Sequence, residues 1–340
     1  MTQNPAAPIH VIVAMDFSDA IVQDLRAVSP RLHVERHFPT VPERAWADAE
    51  VLYTVNIFPA PEQAPHLRWI QLHSAGVEEA LRNPILKAQD IEVTNTSGIH
   101  AVNMAEYTML MMAAFNYQLS AMLAAQQKIE WPPKPQALYR PTPLRGKTVG
   151  IIGYGAVGRE IARLAVSGGM RVLAAKRDVM HPAQGDKYAE PGTGDPEGNL
   201  PDRIYPVQAA ASLVKECDYV VVTCPLTRLT RHLVNEAVLA AMKPTAVLIN
   251  VARGAVVDEA ALISALAANR IGGAALDVFE EEPLPATSPL WNLPNVILTP
   301  HVSGGRADYH QQAAAVFAEN LRRYTSNDPL LNVVNREREY

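Results

Sequence analysis

Short apolar runs, separated by polar, Gly- and Pro-rich punctuation, set the rhythm of this chain. Ile9–Ala14, Val51–Val55 and Trp69–Leu72 are short, continuous and bounded by turn residues, which predicts strands buried on both faces. A helical stretch comes after the first of them. From Ala101 to Ala125 the pattern turns into a long Ala- and Met-rich helical segment that ends near the breaker cluster Trp131–Pro135. A second strand–helix series begins at Thr148 and continues through Arg171–Ala175, Tyr219–Thr223, Val247–Asn250, Gly273–Leu276 and Val296–Leu298. Alternation of this kind predicts an α/β fold with parallel sheets covered on both faces. The stretch Asp178 to Asp202 has almost no apolar periodicity and predicts a long surface loop. The last helix, Ala307 to Tyr324, is expected to return to the first domain.

Length and composition sharpen this picture. A chain of 340 residues, 48% hydrophobic and 19% charged, is too long for one ordinary core. Two domains with a cleft between them are expected, residues 1–117 with 308–340 forming one and residues 118–307 the other. A formal charge of -5 gives no footprint for a nucleic acid or an anionic membrane. No apolar run approaches the roughly 20 residues that span a bilayer, and Met1–Pro8 lacks the layout of a signal peptide, so a cytoplasmic location is expected. Cys217 and Cys224 have neither zinc nor disulfide-framework spacing and read as reduced packing residues. The scattered histidines offer no metal-ligand spacing, so no metal site is expected and a zinc hydrolase has no support.

The chemistry concentrates in a few motifs. Lys147–Ala162 reads as a strand, a Gly-rich turn (Gly153, Gly155, Gly158) and an amphipathic helix. Gly153 permits the tight turn, Gly155 admits a pyrophosphate close to the backbone, and Gly158 lets the helix lie on the strand. The phosphates would rest on the helix N-terminus, where unpaired N–H groups favour negative charge. In such folds the end of the next strand reads the adenosine ribose, an acid there binding the 2′-hydroxyl of NAD. Lys176 and Arg177 occupy that position instead, which favours NADP(H); the nearby Asp178 keeps NAD(H) as the alternative.

Together with the motifs on either side of it, this region resembles the D-isomer-specific 2-hydroxyacid dehydrogenases, closest in motifs to glyoxylate/hydroxypyruvate reductases. The matching motifs run from Ser74–Gly76 to His301–Gly304 in the family's order. The resemblance implies two doubly wound parallel-sheet domains, a Rossmann-type coenzyme domain and a flavodoxin-like substrate domain. It implies hydride transfer between NAD(P)H and C2 of a small 2-oxo acid. Arg253, in Asn250–Gly254, comes after an apolar strand and would pair its planar guanidinium with the substrate carboxylate and polarise the 2-oxo group. His301, in Thr299–Gly305, would be the general acid for the forming alkoxide, and Glu282, before Pro283 and Leu284, would pair with its ring and orient it. Ser74, Ala75 and Gly76 match the loop whose backbone N–H groups clasp the carboxylate. Coenzyme contacts are further implied at Ala156, Val157, Cys224, Pro225, Thr230, Val251, Ala252, Asp277, His301 and Gly304, and a homodimer through the Ala- and Met-rich segment and the Trp131 region.

Taken singly, Arg253, Glu282 and His301 could be a surface ion pair, a solvated acid and a loop residue. All three falling at strand ends, in the family's order, outweighs that. His73 is expected to pack or cap locally rather than take part in proton transfer, and His100, which could line the cleft, is expected instead to cap the helix after it. Two departures stand out. Cys224 takes the place of a histidine common before the Pro-Leu-Thr segment, leaving only backbone contact there. The loop from Asp178 to Asp202 is longer than the family suggests and lies just beyond the ribose-reading strand end; it could cover the adenosine or decorate the surface, and decoration is the expectation. Glu282 argues against formate oxidation, which pairs the histidine with glutamine. Phosphite oxidation fits the same triad. The sequence after the last helix predicts no regulatory domain. A coenzyme-sensing, co-repressor-like binding protein is the alternative of another class.

Overall fold

The computed structural model describes residues 7–185, 187–338 and 340, so most of the stretch read for a signal peptide lies outside them. The chain divides into two compact units, one of Met1–Ile99, Asp186–Glu190 and Arg306–Tyr340, the other of His100–Gly185 and Pro191–Gly305.

In the first unit, β1 (Ile9–Ala14), α1 (Asp19–Arg26), β2 (Leu32–Arg36), α2 (Glu43–Trp46), β3 (Val51–Thr54), β4 (Trp69–Leu72) and β5 (Glu92–Thr94) build a parallel sheet ordered β2-β1-β3-β4-β5. That is the flavodoxin-like order. Every residue of β3 and β4 is buried, as a sheet covered on both faces requires. Phe317 and Leu321, from the last helix of the chain, join Val11, Tyr53 and Trp69 in the core of one face. The return to the first unit expected of that helix is therefore observed.

The second unit begins with α3 (Ala101–Asn116), α4 (Leu119–Gln127) and α5 (Pro135–Leu138). It continues through β6 (Thr148–Ile152), α6 (Ala156–Ser167), β7 (Arg171–Lys176), β8 (Arg203–Pro206), α7 (Ala210–Val214), β9 (Tyr219–Val222), α8 (Glu236–Ala241), β10 (Val247–Asn250), α9 (Glu259–Ala267), β11 (Gly273–Leu276) and β12 (Val296–Leu298). The last helix, α10 (Tyr309–Ser326), is the one that packs in the first unit. The sheet is parallel throughout and ordered β12-β11-β10-β9-β6-β7-β8, a Rossmann order with a seventh strand. Its strand order reverses between β6 and β9, so the crevice for a ligand lies above their carboxyl ends.

The boundary falls at Ile99 rather than at residue 117. Helix α3 is apolar on most of its surface, and its Ala105, Met111 and Met112 share a core with Val149, Ile161 and Ala162 of β6 and α6. Burying that surface on the second sheet places the helix in the second unit. Among the described residues no helix is long and apolar enough to cross a membrane.

Candidate functional site

The Gly-rich turn joins β6 to α6 at the reversal point. Gly153 has φ +108°, and a Cβ there would collide with the backbone of Cys224, so only glycine fits. The Thr223 hydroxyl donates to the Gly153 carbonyl at 2.6 Å, fixing the turn against the end of β9. Gly155 is the N-cap of α6 and provides no side-chain cap, and a Cβ on it would meet open space. Helix amides without a cap beside an open approach suit an anionic pyrophosphate, with Ala156, Val157 and Gly158 in the first turn. The donor set therefore fits a dinucleotide.

Around the turn the remaining coenzyme candidates divide. Cys224, Val251 and Ala252 are buried at strand ends. Burial pushes the Cys224 thiol up to about 12, so it is a neutral packing group. The Thr230 hydroxyl donates to the Pro225 carbonyl at 2.6 Å and accepts from the Thr227 amide at 2.8 Å, which commits it to its own turn. The Gly304 carbonyl is taken by His100 Nδ1 at 2.8 Å. His100 holds the N-cap position of α3 but makes no side-chain cap hydrogen bond, so its expected capping role is replaced by this contact.

Lys176 ends β7 as expected, but its amine donates to the carbonyls of His181, Pro182 and Ala183, the last two at 3.2 Å. Burial, and after it the charge of Arg159, lowers its pKa. Arg177 is exposed beside it. The loop after β7, among the described residues, has neither helix nor strand before β8. It is not a loose decoration: Asp195 and Gly194 bond to side chains of the Gly-rich turn and α6.

Arg253, Glu282 and His301 come after β10, β11 and β12 respectively, all at the carboxyl edge of the same sheet. His301 Nδ1 and Glu282 Oε2 are 2.7 Å apart and both side chains are partly exposed. The other carboxylate oxygen of Glu282 accepts the Phe279 amide at 3.0 Å, which holds the acid in place. With Nδ1 engaged, Nε2 is the ring nitrogen left to meet a substrate. Arg253 is held through its backbone, where the Asn250 side-chain amide donates to its carbonyl at 3.1 Å. Gly254 lies so close to the Phe279–Glu280 backbone that a Cβ would overlap it, which locks the Arg253 turn against the segment carrying Glu282.

Asp277, expected to touch coenzyme, organises the histidine loop. Its carboxylate is fully buried. It accepts the Thr299 hydroxyl at 2.6 Å and the amides of Val302 and Ser303 at 2.9 Å, while its carbonyl accepts the His301 amide at 2.9 Å. His301 sits at φ +54°, a left-handed conformation that costs a non-glycine residue and persists where surrounding bonds enforce it. Tyr107 of α3 completes the chain at 2.6 Å from the Thr299 hydroxyl; its own pKa is pushed up to about 12, chiefly by burial. Sequence reasoning missed Tyr107, because nothing local links it to a residue 192 positions away. Asp277→Asn replaces an acceptor oxygen with a donor facing an amide, so it is expected to cost about 2 kcal/mol of stability, read by urea denaturation.

In the first unit, the Ser74 hydroxyl donates to the Gly76 carbonyl at 2.7 Å and Asn95 donates to the Ala75 carbonyl at 2.8 Å, a turn closed on itself after β4. His73 is buried as expected, 2.6 Å from the Tyr53 hydroxyl and packed against Phe17, Tyr309 and His310.

Residues 109–303 match the family model described as D-isomer specific 2-hydroxyacid dehydrogenase, NAD binding domain. The chain is 35% identical to a glyoxylate reductase of Thermococcus gammatolerans over 81% of this chain and 78% of that protein. Among solved structures it is similar to a D-isomer specific 2-hydroxyacid dehydrogenase of Xanthobacter autotrophicus in complex with NADPH and MES, at TM-score 0.79 and 28% identity, covering 98% of this chain and 100% of that one. It is also similar to an NADPH-dependent glyoxylate/hydroxypyruvate reductase of Sinorhizobium meliloti in complex with NADP and sulfate, at TM-score 0.76 and 27% identity, with 98% of this chain and 100% of that one covered. The chain thus belongs to the D-isomer specific 2-hydroxyacid dehydrogenase family and is an NAD(P)-dependent oxidoreductase.

Proposed function

We propose that this enzyme reduces a short 2-oxo acid, glyoxylate or hydroxypyruvate first among them, to the D-2-hydroxy acid. The observation that carries the reading is the 2.7 Å His301–Glu282 pair on the same sheet edge as Arg253. A nicotinamide coenzyme on the Gly-rich turn supplies the hydride to C2. Arg253 pairs with the substrate carboxylate and draws electron density toward the 2-oxo oxygen. His301 gives a proton from Nε2 to that oxygen as it becomes an alkoxide, and Glu282 keeps the ring oriented while it carries charge. In the reverse direction neutral His301 removes the hydroxyl proton. Ser74, Ala75 and Gly76 are assigned to the carboxylate through their backbone amides.

The coenzyme assigned is NADP(H). Arg177 at the end of β7 supports it, as do the NADPH and NADP held by the two solved relatives. The test follows oxidation of NADPH and NADH by the purified enzyme with glyoxylate, hydroxypyruvate, pyruvate and bulkier 2-oxo acids. Turnover of short acids with NADPH preferred is expected. No turnover with any acid overturns the substrate assignment, and a preference for NADH overturns the coenzyme assignment alone.

A homodimer is also assigned. Helix α4 has no buried residue despite its Leu119, Met122 and Leu123, and Ile129 and Trp131 nearby are 95% and 88% exposed. An apolar surface of this kind marks an association site. Leu123→Asp with Trp131→Ala is expected to shift the enzyme from dimer to monomer in sedimentation velocity; a wild-type monomer would remove the assignment.

A further inference from the structure

The loop after β7 is built, not draped. Asp195, nearly fully buried, accepts the Tyr154 hydroxyl at 2.6 Å and the amides of Gly198, Asn199 and Leu200 at 3.1, 3.2 and 3.1 Å. Tyr154 stands inside the Gly-rich turn itself, between Gly153 and Gly155. Arg159 of α6, also buried, lies over the Tyr154 ring at 4.8 Å and donates to the carbonyls of Asp195 and Pro182. Glu160 accepts the Gly194 amide at 2.6 Å. From the strand side Lys176 binds the carbonyls of His181, Pro182 and Ala183. Buried charges and a buried phenol are thus committed to one loop, a costly arrangement unless every polar partner is supplied, as it is for Asp195, Arg159 and Tyr154.

We propose that this loop, through its residues 181–183 and 194–200, is a positioning element of the coenzyme site, coupled to the pyrophosphate turn through Tyr154–Asp195 and held at the ribose end by Lys176. This rests on the coenzyme site proposed above. Lys176 acts through the loop and touches no phosphate, so recognition of the 2′-phosphate falls to Arg177. The physical reason is occupancy: an ammonium has three donors, and loop carbonyls engage all three. The backbone amides of the turn bind the pyrophosphate common to both coenzymes, so loosening the turn penalises NADPH and NADH alike.

The experiment measures dissociation constants of NADPH and NADH by calorimetry for the wild type, Tyr154→Phe, Lys176→Met and Arg177→Ala, with kcat at saturating coenzyme. Tyr154→Phe and Lys176→Met are expected to weaken both coenzymes about tenfold, the scale of one lost hydrogen bond to a buried or charged group. Arg177→Ala is expected to weaken NADPH alone. A merely structural loop would lower the melting temperature of Tyr154→Phe and leave both dissociation constants unchanged, which overturns the proposal. Loss of NADPH binding alone in Lys176→Met overturns it too, making Lys176 the phosphate reader. If Lys176→Met fails to fold, the milder Tyr154→Phe still decides the coupling. A wild type that binds neither coenzyme would fail the underlying coenzyme assignment, whereas wild-type binding with unaltered variants fails this inference alone.

Discussion

His301→Ala is expected to lower kcat for 2-oxo acid reduction by about a hundred- to ten-thousand-fold, the usual worth of a positioned general acid, while the dissociation constant for coenzyme stays within about threefold. The alkoxide formed at C2 needs a proton as the hydride arrives, and His301 Nε2 is the donor assigned to it. The phosphate cradle proposed at the start of α6 lies on another element than the loop after β12, so the two proposed roles are expected to separate. Because His301 holds φ +54°, His301→Asn is the better-matched control: asparagine tolerates the left-handed region and lacks the acid. Glu282→Gln keeps an oxygen that can accept from Nδ1 but removes the negative charge beside the ring, so an intermediate loss is expected. Stopped-flow traces with coenzyme titrations separate the outcomes. Near-native turnover in His301→Asn would remove His301 from the chemistry, and coenzyme binding lost together with activity would make it a structural residue.

How much of the molecule is legible in the sequence depends on how local each feature is. The central strands β3, β4, β6, β9, β10 and β11 are buried at every residue, and such continuous apolar runs are visible in a sequence. The strands β2, β5 and β8 escape such a reading for complementary reasons: Leu32–Arg36 carries exposed His33, Glu35 and Arg36, Glu92–Thr94 is three residues long, and Arg203–Pro206 lies at the sheet edge. Helix α3 belongs to the second unit against expectation, because a helix apolar on most sides does not announce which sheet it covers.

The same division holds at the site. Arg253, Glu282 and His301 each lie in a contiguous motif, so their strand-end positions are legible. The Asp277 carboxylate and Tyr107 support the His301 loop through bonds between distant elements, and Lys176 turns to its own loop rather than outward. A charged residue at a strand end has the same letter whether it faces a ligand or a carbonyl. Only the fold of Asp178–Asp202, whose polar composition suggests a surface loop, reveals how much buried hydrogen bonding that stretch holds.

The second large effect is expected at Arg253. Arg253→Lys retains the positive charge, and if charge alone mattered, activity would fall only slightly. A carboxylate and a neighbouring 2-oxo oxygen, however, present acceptors in one plane, which a guanidinium fork meets with parallel N–H groups and a tetrahedral ammonium does not. The turn that carries Arg253 is fixed by Asn250 and by the Gly254 contact with Phe279–Glu280, so the backbone cannot shift to bring a shorter reach into place. Losing about 3 to 4 kcal/mol of transition-state interaction corresponds to a fall in kcat/KM of about two to three orders of magnitude. Since the fork is proposed both to hold the carboxylate and to polarise the carbonyl, kcat and KM are expected to worsen together. A change confined to KM would restrict Arg253 to anchoring the carboxylate, and near-native kinetics in Arg253→Lys would take it out of the site. Arg253→Ala with added guanidinium sharpens the test, because partial recovery of kcat that saturates with guanidinium requires the planar cation itself at the vacated position.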